Sequence, residues 1–163
     1  MLLDQQLFAT LLVDAAQNPR RRSAFTLHQS YAEPVQRMLV AMQPDSYVQP
    51  HQHTGSAQWE LFVMLQGQAD FLVFSPAGQL LQKHRLAAGQ SCTGLELSPG
   101  QFHSVVAVDG PVVFLEVKQG PFDPAAPRYY GSFAPAEADP HAGAFLRQMQ
   151  LAKVGDVLAG VTE

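Results

Sequence analysis

The chain has 163 residues, enough for one domain to bury a core without disulfides or structural metal. A net charge of −4 and a pI near 5.8 argue against nucleic acid or an anionic membrane as partner, since both are bound by clustered Lys and Arg. The single cysteine, Cys92, excludes an intrachain disulfide framework.

Apolar residues at positions 7, 8, 11, 12 and 15 have helical spacing, so residues 4–17 are predicted helical with Asp4 as N-cap. Asn18-Pro19 ends the helix, because the residue before proline is biased away from the α region. The Arg20-Arg21-Arg22 run then follows the helix C-terminus, where positive charge is favourable. It reads as a solvated face, with an anion-binding site as the sharper alternative.

Strand follows strand from here. Ser23–His28 is a first candidate, then Val35–Met42, Tyr47–His53, Glu60–Leu65, Ala69–Phe74, Leu80–Arg85, Ser91–Leu97, His103–Val108 and Val112–Lys118. Gly and Pro, 12 of each in the chain, punctuate the gaps. This rhythm predicts an all-β antiparallel sandwich or barrel. Cys92, on an apolar run, is expected in or near the core.

Two of these runs, around Val63 and Leu115, are apolar on both parities, whereas a strand lining one core would show a polar outer face. The N-terminal helix or a second subunit would cover them, which makes a homodimer an expectation. Beyond Gly120 the chain becomes rich in Pro and Ala to Pro140, followed by a helical pattern over His141–Lys153 and a weakly ordered tail past Val154. The expected organisation is a helix and lead-in over 1–22, a β-barrel over 23–122 and an extension with a short helix over 123–163. No segment approaches the roughly 20 apolar residues of a membrane helix. Met1-Leu2-Leu3-Asp4 lacks a signal peptide's basic n-region, so a cytoplasmic protein with no membrane partner is expected.

Chemistry concentrates at His51-x-His53, Glu60 and His103. Side chains at i and i+2 of a strand point the same way, so His51 and His53 can present two imidazoles to one point. With Glu60 and His103 they offer three nitrogens and one oxygen. That donor set suits one divalent transition metal, Fe, Mn, Ni, Co, Cu or Zn, rather than Ca or Mg. By the same parity Tyr47 and Gln49 share the face of the histidines, and Phe62 and Met64 share that of Glu60.

His51-x-His53, Glu60 and Gly67 resemble the first cupin motif, and Pro99-Gly100-x-x-His103 resembles the second. The resemblance implies a single-domain cupin jelly roll (double-stranded β-helix), here with an N-terminal and a short C-terminal helix, and a metal held in the barrel by His51, His53, Glu60 and His103. Two departures stand out: the His53-to-Glu60 gap exceeds the family's usual three or four residues, and Pro99 directly precedes Gly100. The stretches 23–28, 34–39, 59–63 and 116–124 are similar to the WbuC-type cupin fold metalloproteins, a subfamily associated with O-antigen polysaccharide gene clusters. On that resemblance the long His53-to-Glu60 loop is a subfamily trait at the pocket rim.

Three imidazoles and a carboxylate leave one or two coordination positions open, which separates a catalytic metal from a closed structural one. The resemblance therefore implies a metal-dependent enzyme acting on a small polar ligand, such as a sugar or sugar-nucleotide intermediate of surface polysaccharide synthesis. An Fe(II)-dependent dioxygenase and a non-catalytic sugar-binding cupin are the alternatives. Glu116 and Lys118, on one parity of the last strand, are candidates for an acid/base or anion-binding pair at the barrel mouth, or else form a surface ion pair. Arg37, Tyr47, Gln49, Phe62 and Met64 are the candidate substrate contacts, Arg37 through bidentate binding of a carboxylate or phosphate.

Overall fold

The computed structural model describes residues 1–53, 58–123, 125 and 128–160. Helix α1 spans Gln5–Gln17, and Asp4 caps it by accepting the Leu7 amide at 3.0 Å. Its C-cap is Asn18, as the following proline dictates. The strands are β1 (Arg22–Thr26), β2 (Val35–Met42), β3 (His51–Gln52), β4 (Glu60–Phe74), β5 (Leu80–Ala87), β6 (Gly94–Leu97), β7 (Phe102–Gln119) and β8 (Tyr129–Tyr130), and α2 spans Ala142–Leu151. All pairings between these strands are antiparallel. The chain is an all-β cupin jelly roll with a helix at each end.

β4 and β7 are the frame. Four of the predicted strands merge into these two, because the turn residues between them are absorbed as bulges in a continuing ladder. The β4–β7 register slips between Met64 and Gln68. At this slip Gly67 has φ +74°, and a Cβ there would lie 2.7 Å from the Pro111 carbonyl oxygen. Opposite it, Asp109 (φ 55°) and Gly110 (φ 141°) bend β7. Each irregularity inverts the alternation of faces. On β4, Phe62 and Met64 point into the barrel before the bulge, and Ala69, Phe71 and Val73 after it. On β7, Val105 and Ala107 point inward before the bend, and Val112 and Phe114 after it.

The chain itself covers part of these apolar outward faces. Phe8, Leu11 and Ala15 of α1 pack on Leu39, Ala41 and Val113. On the other side Phe145, Leu146 and Met149 of α2 pack with Leu72, Phe74, Leu80 and Val106. Lys83 secures α2, donating to the Gln150 and Ala152 carbonyls at 2.9 and 3.0 Å while its Nζ lies 3.4 Å from Asp70. Leu61, Val63 and Val117, on the same apolar runs, are only partly buried and belong to none of these clusters.

Several local expectations are corrected. Only His51–Gln52 of the predicted Tyr47–His53 strand joins a ladder. Pro50 has no N–H to donate, and the Tyr47 ring packs into the α2 core with its hydroxyl on the Pro135 carbonyl at 2.8 Å. Cys92 is exposed, in the turn before β6, rather than in the core. The tail past Val154 is anchored to about residue 160, for Leu158 is 3% exposed and backbone bonds join Asp156 and Leu158 to Leu80 and Gly78. Among the described residues no helix is long and apolar enough to cross a membrane.

Candidate metal centre

The candidate metal ligands converge from three parts of the sheet. His51 of β3 is the direct cross-strand partner of His103 on β7, and Glu60 opens β4, paired with Lys118 on the far half of β7. The inversion of faces at Asp109–Gly110 lets His103 and the even-numbered Glu116 and Lys118 reach one cavity. Donor nitrogens of His51, His53 and His103 all lie within 4.8 Å of one another. Glu60 stands between two of them, with Oε1 3.0 Å from His53 Nε2 and Oε2 3.1 Å from His103 Nε2.

Backbone carbonyls orient the rings. The Nδ1 atoms of His51 and His103 each lie 2.9 Å from the carbonyl two residues earlier, Gln49 and Gln101. A carbonyl only accepts, so each Nδ1 carries a proton and each Nε2 is directed inward. His53 Nε2 is buried and, despite its 3.0 Å approach to Glu60, makes no well-aligned hydrogen bond. Three imidazole nitrogens and a carboxylate gathered in one buried spot fit a shared cation. Residues 54–57 of the long loop expected at the rim lie outside the described residues.

The electrostatics follow from burial. Desolvation, aided by the neighbouring His103, pushes His51 down to about 3, so its imidazole is neutral. Burial also works against charge on His103, but the contact with Glu60 overrides it and raises the pKa. For Glu60, burial is outweighed by His103 and His53, which hold the carboxyl well below its ordinary range.

A cavity of about 340 Å³ opens above this cluster. Phe62, Phe114 and Val105 form part of an apolar floor, and Gln49, Glu116 and Lys118 line it as well. Lys118 Nζ lies 2.9 Å from Glu116 Oε1 and 3.8 Å from Glu60 Oε1. Burial disfavours its ammonium, but Glu116 and Glu60 more than compensate and raise its pKa. Lys118 is therefore a fixed positive charge at neutral pH.

Three sequence candidates lie outside this cavity. Arg37 is exposed and pairs with Glu33 at 2.9 Å. Tyr47 belongs to the α2 core, and Met64 lies 3% exposed in the barrel interior without lining the cavity.

Of the other wall residues, Tyr130, Arg128 and Glu137 were not singled out from sequence, whereas the Arg20–Arg22 run was. Tyr130 of β8 pairs with His51 across β3, its ring centroid 6.2 Å away. Arg20, Arg22, Arg128 and Glu137 also line the cavity. Arg20 meets Glu137 at 2.7 Å and Arg22 pairs with the same carboxylate, so the Arg20–Arg22 run is partly a clamp on the C-terminal extension. Arg21 instead pairs with Asp45 and donates to the Ala16 carbonyl at the end of α1. The one available signal was the Tyr129-Tyr130 pair, a β-favouring step in a Pro/Ala-rich segment.

A family model described as a domain of unknown function, DUF6016, matches residues 3–86, just over half of the chain and inclusive of His51, His53 and Glu60. The chain belongs to the DUF6016 family.

The structure of this DUF6016 member is similar to a crystal structure of CapF with the inhibitor 3-isopropenyl-tropolone, at 16% identity and TM-score 0.59 over 69% of this chain and 32% of that one. It is similar to the DMSP lyase DddQ from Ruegeria pomeroyi DSS-3, at 21% identity and TM-score 0.51 over 67% and 51%. A third likeness is to the Cupin_2 domain of an XRE family transcriptional regulator from Enterobacter cloacae, at 14% identity and TM-score 0.50 over 62% and 98%. The DUF6016 chain thus spans about a third of CapF and half of the lyase. At these identities the likeness establishes the cupin fold alone. No curated protein sequence matches the chain significantly.

Proposed function

We propose that this DUF6016 chain holds one divalent transition-metal ion through His51, His53, Glu60 and His103 and acts as a metal-dependent enzyme on a small polar substrate. The observation that carries the proposal is the convergence of the His51, His53 and His103 donor nitrogens within 4.8 Å of one another, with the Glu60 carboxylate 3.0 and 3.1 Å from two of them. When bound at such a site, a metal of this class polarises a substrate carbonyl or hydroxyl, or lowers the pKa of water. The chain's own residues do the rest. Gln49 and Gln101 hold the tautomers of His51 and His103, and the apolar floor of Phe62, Phe114 and Val105 excludes bulk water from the ligands. Lys118, protonated and held by Glu116, offers charge and hydrogen bonds to substrate rather than a basic amine.

A sugar or sugar nucleotide of surface polysaccharide synthesis is the substrate class favoured by the resemblance to the WbuC-type cupins. The test is incubation of metal-loaded protein with a panel of sugar nucleotides, with products read by mass spectrometry and His103→Ala as control. Metal-dependent turnover lost in the variant supports the proposal. Oxygen consumption coupled to product would identify a dioxygenase instead. Saturable thermal stabilisation without product would identify a binding protein.

A further inference from the structure

The mouth of the cavity carries a cation that no described carboxylate answers. Arg20 and Arg22 share Glu137, and Lys118 is held by Glu116 and Glu60. Arg128 lines the same cavity and, among the described residues, pairs with no acid. Its guanidinium carbon lies 5.9 Å from the Phe122 ring centroid, and Lys118 Nζ lies 5.5 Å from that centroid. Both cations thus lie within 6 Å of the centre of one aromatic ring, and Arg22 lines the same cavity.

We propose that Arg128 and Lys118, over the Phe122 ring, form an anion subsite at the cavity mouth that takes the carboxylate or phosphate group of a small substrate whose other end faces His51, His53 and His103. The orientation toward the histidines rests on the metal-enzyme reading above, whereas the anion subsite itself does not. A guanidinium presents a planar fork that matches either oxyanion, and Lys118 adds a point charge. Arg128 is exposed at the rim, so an anion can reach it before it reaches the buried ligands, and a cavity of about 340 Å³ suits a small metabolite. Arg37, the arginine the sequence suggested for this task, is outside the cavity and already paired.

The test titrates inorganic phosphate, and separately malonate, into the metal-free full-length chain at constant ionic strength, with binding read by calorimetry and thermal shift. Wild type is expected to bind saturably above a chloride control. Arg128→Ala, a change at an exposed side chain, should weaken binding about tenfold or more, as the loss of a charge-assisted contact implies. Arg128→Lys should lose less, and Arg37→Ala should match wild type. A stronger response to phosphate than to malonate identifies a phosphorylated substrate, and the reverse a carboxylated one. Wild-type binding no better than chloride, or Arg128→Ala binding as tightly as wild type, overturns the subsite. Metal uptake, measured separately on wild type and Arg128→Ala, separates the two readings: it should be equal in both. A chain that binds phosphate through Arg128 but no metal sinks the functional reading alone.

Discussion

His51 and His103 face each other as direct partners across β3 and β7, and each has Nδ1 2.9 Å from the carbonyl two residues before it. The repeated geometry sets both Nε2 atoms toward the same point. Nitrogen-15 spectra of the imidazoles in metal-free protein at mildly alkaline pH should therefore show His51 in the Nδ1–H form, and zinc loading should leave His51 and His103 protonated at Nδ1. An Nε2–H tautomer on His51 in either state contradicts this arrangement.

Acid should destabilise the metal-free protein in a defined order. His51 is depressed from its ordinary 6.5 to about 3, so the unfolded chain binds a proton there that the native state refuses. Its contribution is fully present above pH 6.5 and declines as pH falls toward 3, by ~1.4 kcal/mol per unit. Glu60, also depressed, adds to the decline once pH drops below its ordinary 4.5. His103 has the opposite sign, because its raised pKa stabilises below 6.5 and is lost as pH rises through the folded value. Urea denaturation between pH 7 and 4.5 should show the His51 slope in wild type and a flatter line in His51→Gln; equal slopes would contradict the assignment.

The clustering of His51, His53, Glu60 and His103 was legible because motif spacing encodes it. His51-x-His53 is a strand signal, and Glu60 and His103 belong to recognisable motifs. The strand boundaries were less legible. Gly67 and Gly110-Pro111 look like hairpin turns in sequence, yet the ladders of β4 and β7 run through them, because a bulge and a turn draw on the same residues. Tyr47 was misplaced because alternation cannot show that Pro50 interrupts the ladder and that α2 offers the ring a core. The Arg22–Glu137 pair spans 115 positions, and no local pattern carries such a contact.

Glu137 fastens the C-terminal extension to the cavity wall. Glu137→Gln leaves Arg22, whose side chain is 14% exposed, without its counter-charge. The expected cost is about 1–3 kcal/mol in chemical denaturation. Hydrogen exchange should quicken at Gly131 and Ala134 and stay unchanged at Val105–Ala107. Uniform acceleration across both regions would show that the clamp serves the whole fold instead of the wall.

The bulge at Gly67 is a steric requirement as well as a conformational one. Gly67→Ala combines a positive φ with a Cβ 2.7 Å from the Pro111 oxygen, whereas Gly89 has φ +69° and nothing within 4 Å. Gly89→Ala should cost about 1 kcal/mol and Gly67→Ala at least about 2 kcal/mol more, with the difference reporting the close approach. Equal losses in thermal denaturation would mean that β7 yields at Pro111.

Metal content measures the central claim most directly. Protein expressed without supplement, purified without chelator and analysed by plasma mass spectrometry should carry close to one transition-metal ion per chain. His51→Ala and His103→Ala, each still folded by circular dichroism, should carry almost none, while Arg37→Ala retains the wild-type amount. A wild-type chain that takes up no metal even on titration, or histidine variants with undiminished metal, would contradict the account.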